Sequence, residues 1–288
     1  MSIIPFQTST VQRSPLGLEH KEGAGFGRVY RYAKNGPQAL AAGVFAQGPI
    51  NELGHANLAV AVAKSPTAST ISVTVKQAKV DTDDYKDGFL YINDVDGQGY
   101  VYDVISNLSV GASEAGTACA VTIDSELVVA LTTSSEATLI KNPYKGVTLP
   151  LLKAFAPIAG VTPVAVAANS YFWLQVRGPA AVLQEGTLYV GKPVALSNKT
   201  RGAVTLAKQV IPVPSNTYGE VGGDGLTEAF DFTQDALKTR IRAAAVTTSP
   251  TEVLTEISGA ATLPEVILGY CLDPRADTEY ALIDLRIA

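Results

Sequence analysis

"ANSYFWLQVRGPAAVLQEGTLYVGKPVAL", residues 168–196, gathers the only tryptophan of the chain, a run of β-formers and two glycine turns into one short stretch. Aromatic and β-branched residues in short runs bounded by Gly, Pro and Asn read as strands, here at 170–177, 180–183, 187–190 and 193–196. Successive side chains of a strand point to opposite faces, so Tyr171 and Trp173 share one face and Phe172 takes the other. The stretch contains no histidine, no plausible nucleophile and no metal-ligand pair. Its aromatic side chains are therefore assigned to the core or to a subunit contact. A carbohydrate-stacking platform is the alternative use of such rings.

The same punctuation extends in both directions. "TISVTVKQAKV", residues 70–80, alternates β-branched and polar residues, which gives a strand one buried and one wetted face. "GFLYIND" and "GYVYDVISN" flank the Asp96–Gly97 pair and read as a hairpin, since Asp-Gly supplies the positive φ of a tight turn. Further strands are expected at 119–123, 127–131, 137–141 and 161–167. At the end of the chain "YALIDLRIA" alternates as well, with Ile283, Leu285 and Ile287 facing inward. One helix is expected, at 229–246, capped by Thr233 with Asp235 in its first turn. The expected fold class is mainly β: sandwich or barrel modules of short antiparallel strands, one helix near 229–246 and an extended N-terminal arm. The organisation read from punctuation is an arm at 1–22, a β-rich domain at 23–148 and a second at 149–288, with a soft boundary near "NPYKGVTLPLLKAFAP".

Composition narrows the function classes. Charged residues make up 17%, against roughly 25% in an average globular protein. A surface so poor in charge favours a chain partly covered by partner subunits. The balance of 22 basic and 27 acidic residues, without a basic block, argues against direct nucleic-acid binding. No apolar run is long enough for a membrane helix, and "MSIIPFQTSTVQRSPLG" lacks the form of a signal peptide. The chain therefore reads as made in the cytosol, without membrane attachment. Cys119 and Cys271 stand far apart in apolar surroundings and read as buried free thiols.

Several stretches invite a chemical reading. "GAGFGR", residues 23–28, resembles a phosphate loop, but extended sequence follows it where a dinucleotide site needs a helix. Asp81, Asp83, Asp84, Asp87, Asp94 and Asp96 offer hard oxygen ligands, and two acidic loops flanking one strand could converge on a cation. Their spacing is not that of a calcium loop, and Asp is an ordinary turn residue. His20 and His55 are the only histidines, and neither stands in a triad pattern. The expectation is no catalytic residue, no metal and no cofactor.

"GRVYRYAKNGPQALAAG" (27–43), "DYKDGFLYINDVDGQGYVYDVISN" (84–107), "NPYKGVTLP" (142–150), "GVTPVAVAANSYFWLQVRGPAAVLQEGTLYVGKPV" (160–194) and "LGYCLDPRADTEYALIDLRIA" (268–288) resemble, in that order, capsid decoration (cement) proteins of tailed-bacteriophage heads. The resemblance implies a β-rich homotrimer on the outer surface of the virion head, assembled in the host cytoplasm and bound to the major capsid protein. Its work would be to clamp neighbouring capsomers. The N-terminal arm would then bind the shell by strand addition, with Ile3, Ile4, Phe6, Val11 and Leu16 as its anchors. Tyr171, Phe172 and Trp173 are the expected subunit interface or core. Two other readings compete: a glycan-binding β-sandwich on the virion surface or tail tip, and the major capsid protein itself.

Overall fold

The computed structural model describes residues 5–23, 27–76, 79–111, 116–151, 156–207 and 266–287. The chain is mainly β, as its alternating sequence requires. β1 (Glu19–Glu22) and β2 (Arg28–Asn35) form an antiparallel hairpin with Glu22 opposite Arg28. β1 ends at Glu22 and β2 begins at Arg28, so among the described residues a strand, not the helix a phosphate loop needs, follows "GAGFG" in sequence. β1 reads "EHKE", and a charged edge strand discourages unwanted pairing with other chains. The short, fully buried β3 (Phe45–Gln47) follows.

The next six strands build a module of their own: β4 (Leu58–Ala59), β5 (Thr70–Thr74), β6 (Phe89–Asp94), β7 (Val101–Asn107), β8 (Ala118–Ile123) and β9 (Glu136–Ile140). They are ordered β4-β9-β6-β7-β8-β5. Val60 bridges Val73, and the Ala61 amide donates to the Ser72 carbonyl at 2.7 Å, so the two ends of the sheet meet and nearly close a barrel. Alternation does the rest. In β5 Ile71 and Val73 point inward, in β7 Tyr102 and Val104 do, and these join Leu58, Leu90, Ile92, Val121 and Leu139 in one buried cluster.

The hairpin read at 89–107 is present, and the positive φ angles of its connection fall on Val95, Gly97 and Gly99, not on Asp96. The strand expected at 127–131 is absent. Leu127 and Leu131 plug the core while their backbones make only isolated bonds to Thr67, Ala68 and Lys64.

The remaining strands are β10 (Lys145–Val147), β11 (Ile158–Val161), β12 (Tyr171–Leu183), β13 (Pro193–Leu196), β14 (Val204–Leu206), β15 (Gly269–Asp273) and β16 (Tyr280–Arg286). With β1, β2 and β3 they make a ten-stranded sheet whose main path is β1-β2-β12-β16-β15-β13-β14. β10 pairs with β2 in parallel, while β11 joins β12 to β3. Strands from both sides of the boundary expected near 148 thus share one sheet. The barrel is an insertion between β3 and β10 of that sheet. A break in composition marked a connection here, not the edge of a domain.

β12 corrects the sequence reading most sharply. Two strands were expected, at 170–177 and 180–183, with Gly178 and Pro179 as the break. The chain instead runs on as one strand, pairing with β2 over Tyr171–Arg177 and with β16 over Arg177–Leu183. A register shift lies between Gln175 and Arg177, and Gly178 adopts φ +81°. A Cβ at Gly178 would stand 2.9 Å from the Gly27 carbonyl oxygen, so only glycine suits both the angle and the approach. The Gln175 side-chain amide fastens the irregularity by donating to the carbonyls of Arg177, Gly178 and Pro179 at 3.2, 3.3 and 2.9 Å.

The strand expected at 187–190 is a turn between Gly186 and Gly191. Its apolar content comes from Leu188, which is buried, and from Tyr189 and Val190, which are exposed. At the other end of the chain, Ile283 and Leu285 face inward as expected. The helix read at 229–246, with Thr233 and Asp235, lies outside the described residues.

Candidate interaction surfaces

The N-terminal arm lies on its own chain over residues 5–18. Ser9 and Tyr171 exchange backbone hydrogen bonds at 2.9 and 2.7 Å, extending the sheet beside the start of β12. The Arg13 amide donates to the Tyr32 hydroxyl at 3.0 Å, and the Gly17 amide to the Tyr32 carbonyl at 2.8 Å. Leu16 is buried with Tyr30, Tyr32 and Trp173. Of the five anchors read for shell binding, Leu16 is therefore part of the chain's own core. Phe6 is half exposed beneath the Arg28 guanidinium, 5.9 Å from its ring centroid, and Val11 is exposed. Ile3 and Ile4 lie outside the described residues.

Phe172 and Trp173 occupy opposite faces of β12. Phe172 packs with Ala33, Leu40, Ala46 and Leu174, while Trp173 packs under the arm. His20 and Tyr32 lean on the indole at 5.7 and 5.0 Å between ring centroids. Tyr171, half-buried, stacks on Tyr32 at 6.0 Å with the Lys34 ammonium 5.5 Å from its ring. At 6% exposure Trp173 offers no open ring face. Phe172 and Trp173 are both buried within this chain. Burial also raises the Tyr30 hydroxyl pKa to about 12, because the phenolate would lose its hydration.

The six aspartates do not converge. Asp81, Asp83, Asp84 and Asp87 precede β6, whereas Asp94 and Asp96 stand at its far end, and six residues of strand span about 20 Å. Lysine fills the first loop. The Lys145 ammonium donates to the carbonyls of Asp83 and Lys86, and Lys141 pairs with Asp84 at 2.9 Å. Burial holds the Lys145 pKa below the ordinary lysine value. Asp83 and Asp87 both take positive φ, the turn service that Asp commonly performs. Among the described residues no group of three or more His, Cys, Asp or Glu side chains is placed to hold a metal ion.

Other reactive side chains are turned inward. His55, in the 3-10 turn Leu53–His55, is buried, and its Nδ1 shares a hydrogen bond with the Tyr85 hydroxyl. Both cysteines are buried free thiols, as their surroundings indicated. The Cys119 thiol donates to the Leu108 carbonyl at 3.2 Å, and burial raises its pKa from 9.0 to about 11.

What the sequence did not bring out is where the exposed apolar side chains gather. One group sits on the barrel, at the end away from β10. Val62, Val95, Tyr100, Val128 and Val129 are exposed on three loops there. Those loops are tied together: Lys64 and Leu131 exchange backbone bonds at 2.9 Å, and the Thr132 hydroxyl donates to Asp96 at 2.9 Å. A second group lies on the ten-stranded sheet. Leu282 of β16 stands opposite Asp273, beside exposed Leu272, and Tyr280, Tyr189 and Val190 are exposed as well. The strand period could have flagged Tyr280 and Leu282 as the outward set of β16. The barrel loops carry no period to read.

Comparison with known proteins returned no matching family model, no matching curated protein and no matching solved structure.

Proposed function

We propose that this chain is a structural protein of a tailed-phage virion, a decoration protein that sits as a homotrimer on the outside of the expanded head and grips neighbouring subunits of the major capsid protein. The observation that carries the reading is the pair of exposed apolar groups, one on the inserted barrel and one on the host sheet. Exposed apolar groupings on a soluble protein mark interaction surfaces, and a clamp needs at least two. Two weak contacts held by one rigid chain reinforce each other through effective concentration. The low share of charged residues fits a surface that partners cover. The segments that resemble decoration proteins supply β2, the β6–β7 hairpin, β12, β15 and β16, which are the framework of the fold.

The competing readings have less to stand on. Glycan stacking on Trp173 would require lifting Leu16 and the arm off the indole. A major capsid protein of the expected kind wants a long spine helix early in the chain. The described residues of the first third carry strands and the single 3-10 turn Leu53–His55.

The test is co-sedimentation of the purified chain with expanded heads lacking it. Saturable binding at a fixed ratio to the shell protein, with increased resistance of the heads to heat, is the expected result. Heads that remain bare at micromolar chain overturn the reading.

A further inference from the structure

The barrel end is built at a cost that the fold itself does not explain. Val95 has φ +61°, a left-handed backbone angle that a β-branched residue rarely adopts, and its side chain is exposed. Asn or Gly would fill that turn without strain. A valine left 44% exposed there gains little from burial within its own chain. Strain of this kind gathers where a surface is used.

The barrel as a whole is acidic, and part of that charge stands around the apolar group. Residues 49–143 hold twelve acidic and five basic side chains, a balance of −7 against −5 for the whole chain, so the remainder is slightly basic. Asp94, Asp96, Asp124 and Glu126 are all exposed around the apolar group, and none makes an ion pair among the described residues. By contrast, the acidic loop at the other end of β6 is matched by Lys141 on Asp84 and Lys79 on Asp81. Lys64 is the one basic residue on these three loops, against four exposed carboxylates, and an apolar centre within a polar rim is the anatomy of a protein-binding patch. The sign of the rim selects the partner by charge complementarity.

We propose that the barrel end formed by Val62, Val95, Tyr100, Val128 and Val129, rimmed by Asp94, Asp96, Asp124 and Glu126, docks onto a protein surface that presents lysine or arginine side chains around an apolar centre. The proposal rests on the decoration reading only for the identity of that surface, which would then belong to the shell protein.

Two probes separate the two claims. The first is expanded heads. The second is a 14-residue peptide of alternating lysine and leucine, which has the proposed chemistry and owes nothing to phage. The full chain is compared with Val95→Asn, Val128→Asp, the double variant Asp124→Lys/Glu126→Lys, and Asp81→Lys as a control outside the patch.

On the peptide, each patch variant should weaken binding at least fivefold while Asp81→Lys stays within twofold. Val95→Asn should keep or raise the melting temperature as it loses binding, an outcome that a purely structural role does not produce. Val128→Asp discriminates further. It adds negative charge, so attraction by charge alone would tighten binding, whereas docking through the apolar centre weakens it. Patch variants that bind the peptide like the parent, or an equal loss with Asp81→Lys, overturn the docking surface. If the peptide pattern holds and heads stay bare, the docking surface stands and the decoration reading falls. If heads bind the parent and the patch variants equally, the decoration reading stands, and the patch is not its contact.

Discussion

Gln47 and Thr148 exchange both backbone hydrogen bonds, each 2.9 Å long, and between them in sequence the strands β4 to β9 fold away as the barrel. The chain leaves the ten-stranded sheet and re-enters it at one place, with the Gly48 amide held on the Pro157 carbonyl at 2.9 Å. A module joined by two adjacent strands, with a closed cluster of nineteen buried residues, carries its own core. We expect residues 49–143 expressed alone to melt cooperatively, and the host with that stretch replaced by a short Gly-Ser linker to keep its native tryptophan emission. A fragment that shows no thermal transition would mean that the barrel borrows its stability from the sheet.

Leu16 and Trp173 give a direct optical test of the arm. Because Trp173 is the sole tryptophan, its emission reports only on the cluster with Leu16, Tyr30 and Tyr32. Leu16→Asp would bury an unpaired carboxylate against the indole, which no partner in that cluster can offset. The arm should detach, with a red-shifted emission maximum and stability reduced by about 2–4 kcal/mol. An arm that spends its time on a neighbouring chain predicts the opposite, an emission unchanged by the substitution.

The sequence was legible where one periodicity governed one element. β5 and the first five residues of β7 alternate because one face is buried and the other wet, and in β16 the alternation places Ile283 and Leu285 inward even though Asp284 between them is buried too. β12 was harder because it lies in the middle of the sheet with both faces covered. Phe172, Trp173, Leu174, Gln175 and Val176 are all buried, so alternation vanishes and Gly178-Pro179 looks like an end. The insertion was illegible for a different reason. Pairing between β2 and β10, or between β3 and β11, is a long-range choice that no local window contains. The exposed barrel loops carry isolated valines whose grouping depends on three turns meeting in space.

Gln175 makes the irregularity of β12 testable. Its amide is the side-chain donor to three successive carbonyls, so Gln175→Leu keeps the volume and removes the bonds. Losing those bonds should cost about 1–3 kcal/mol in total. Gly178→Ala should cost a similar amount through its positive φ and the 2.9 Å approach of the Gly27 carbonyl. Denaturant midpoints measure both. If neither substitution moves the midpoint, the bulge is incidental, and β12 could be built as a regular strand.

Alkaline pH should loosen the barrel through Cys119. The folded thiol has its pKa raised from 9.0 to about 11, so between those values the unfolded chain gives up its proton and the folded chain keeps it. The stabilisation is complete below pH 9 and is lost as pH rises through about 11, amounting to on the order of 2 kcal/mol. Tyr85, buried in the same barrel core and held above the ordinary tyrosine value by that burial, prolongs the loss to higher pH. Lys145 works the other way: its pKa lies below the ordinary 10.5, so its contribution grows as pH rises through the window between its folded value and 10.5. Cys119→Ala forfeits the bond to the Leu108 carbonyl and some packing, lowering stability at neutral pH by about 1 kcal/mol. The diagnostic is the slope. Between pH 9 and 11 the variant should lose stability less steeply than the parent in urea titrations, and parallel slopes would mean that this thiol is not what couples the barrel to pH.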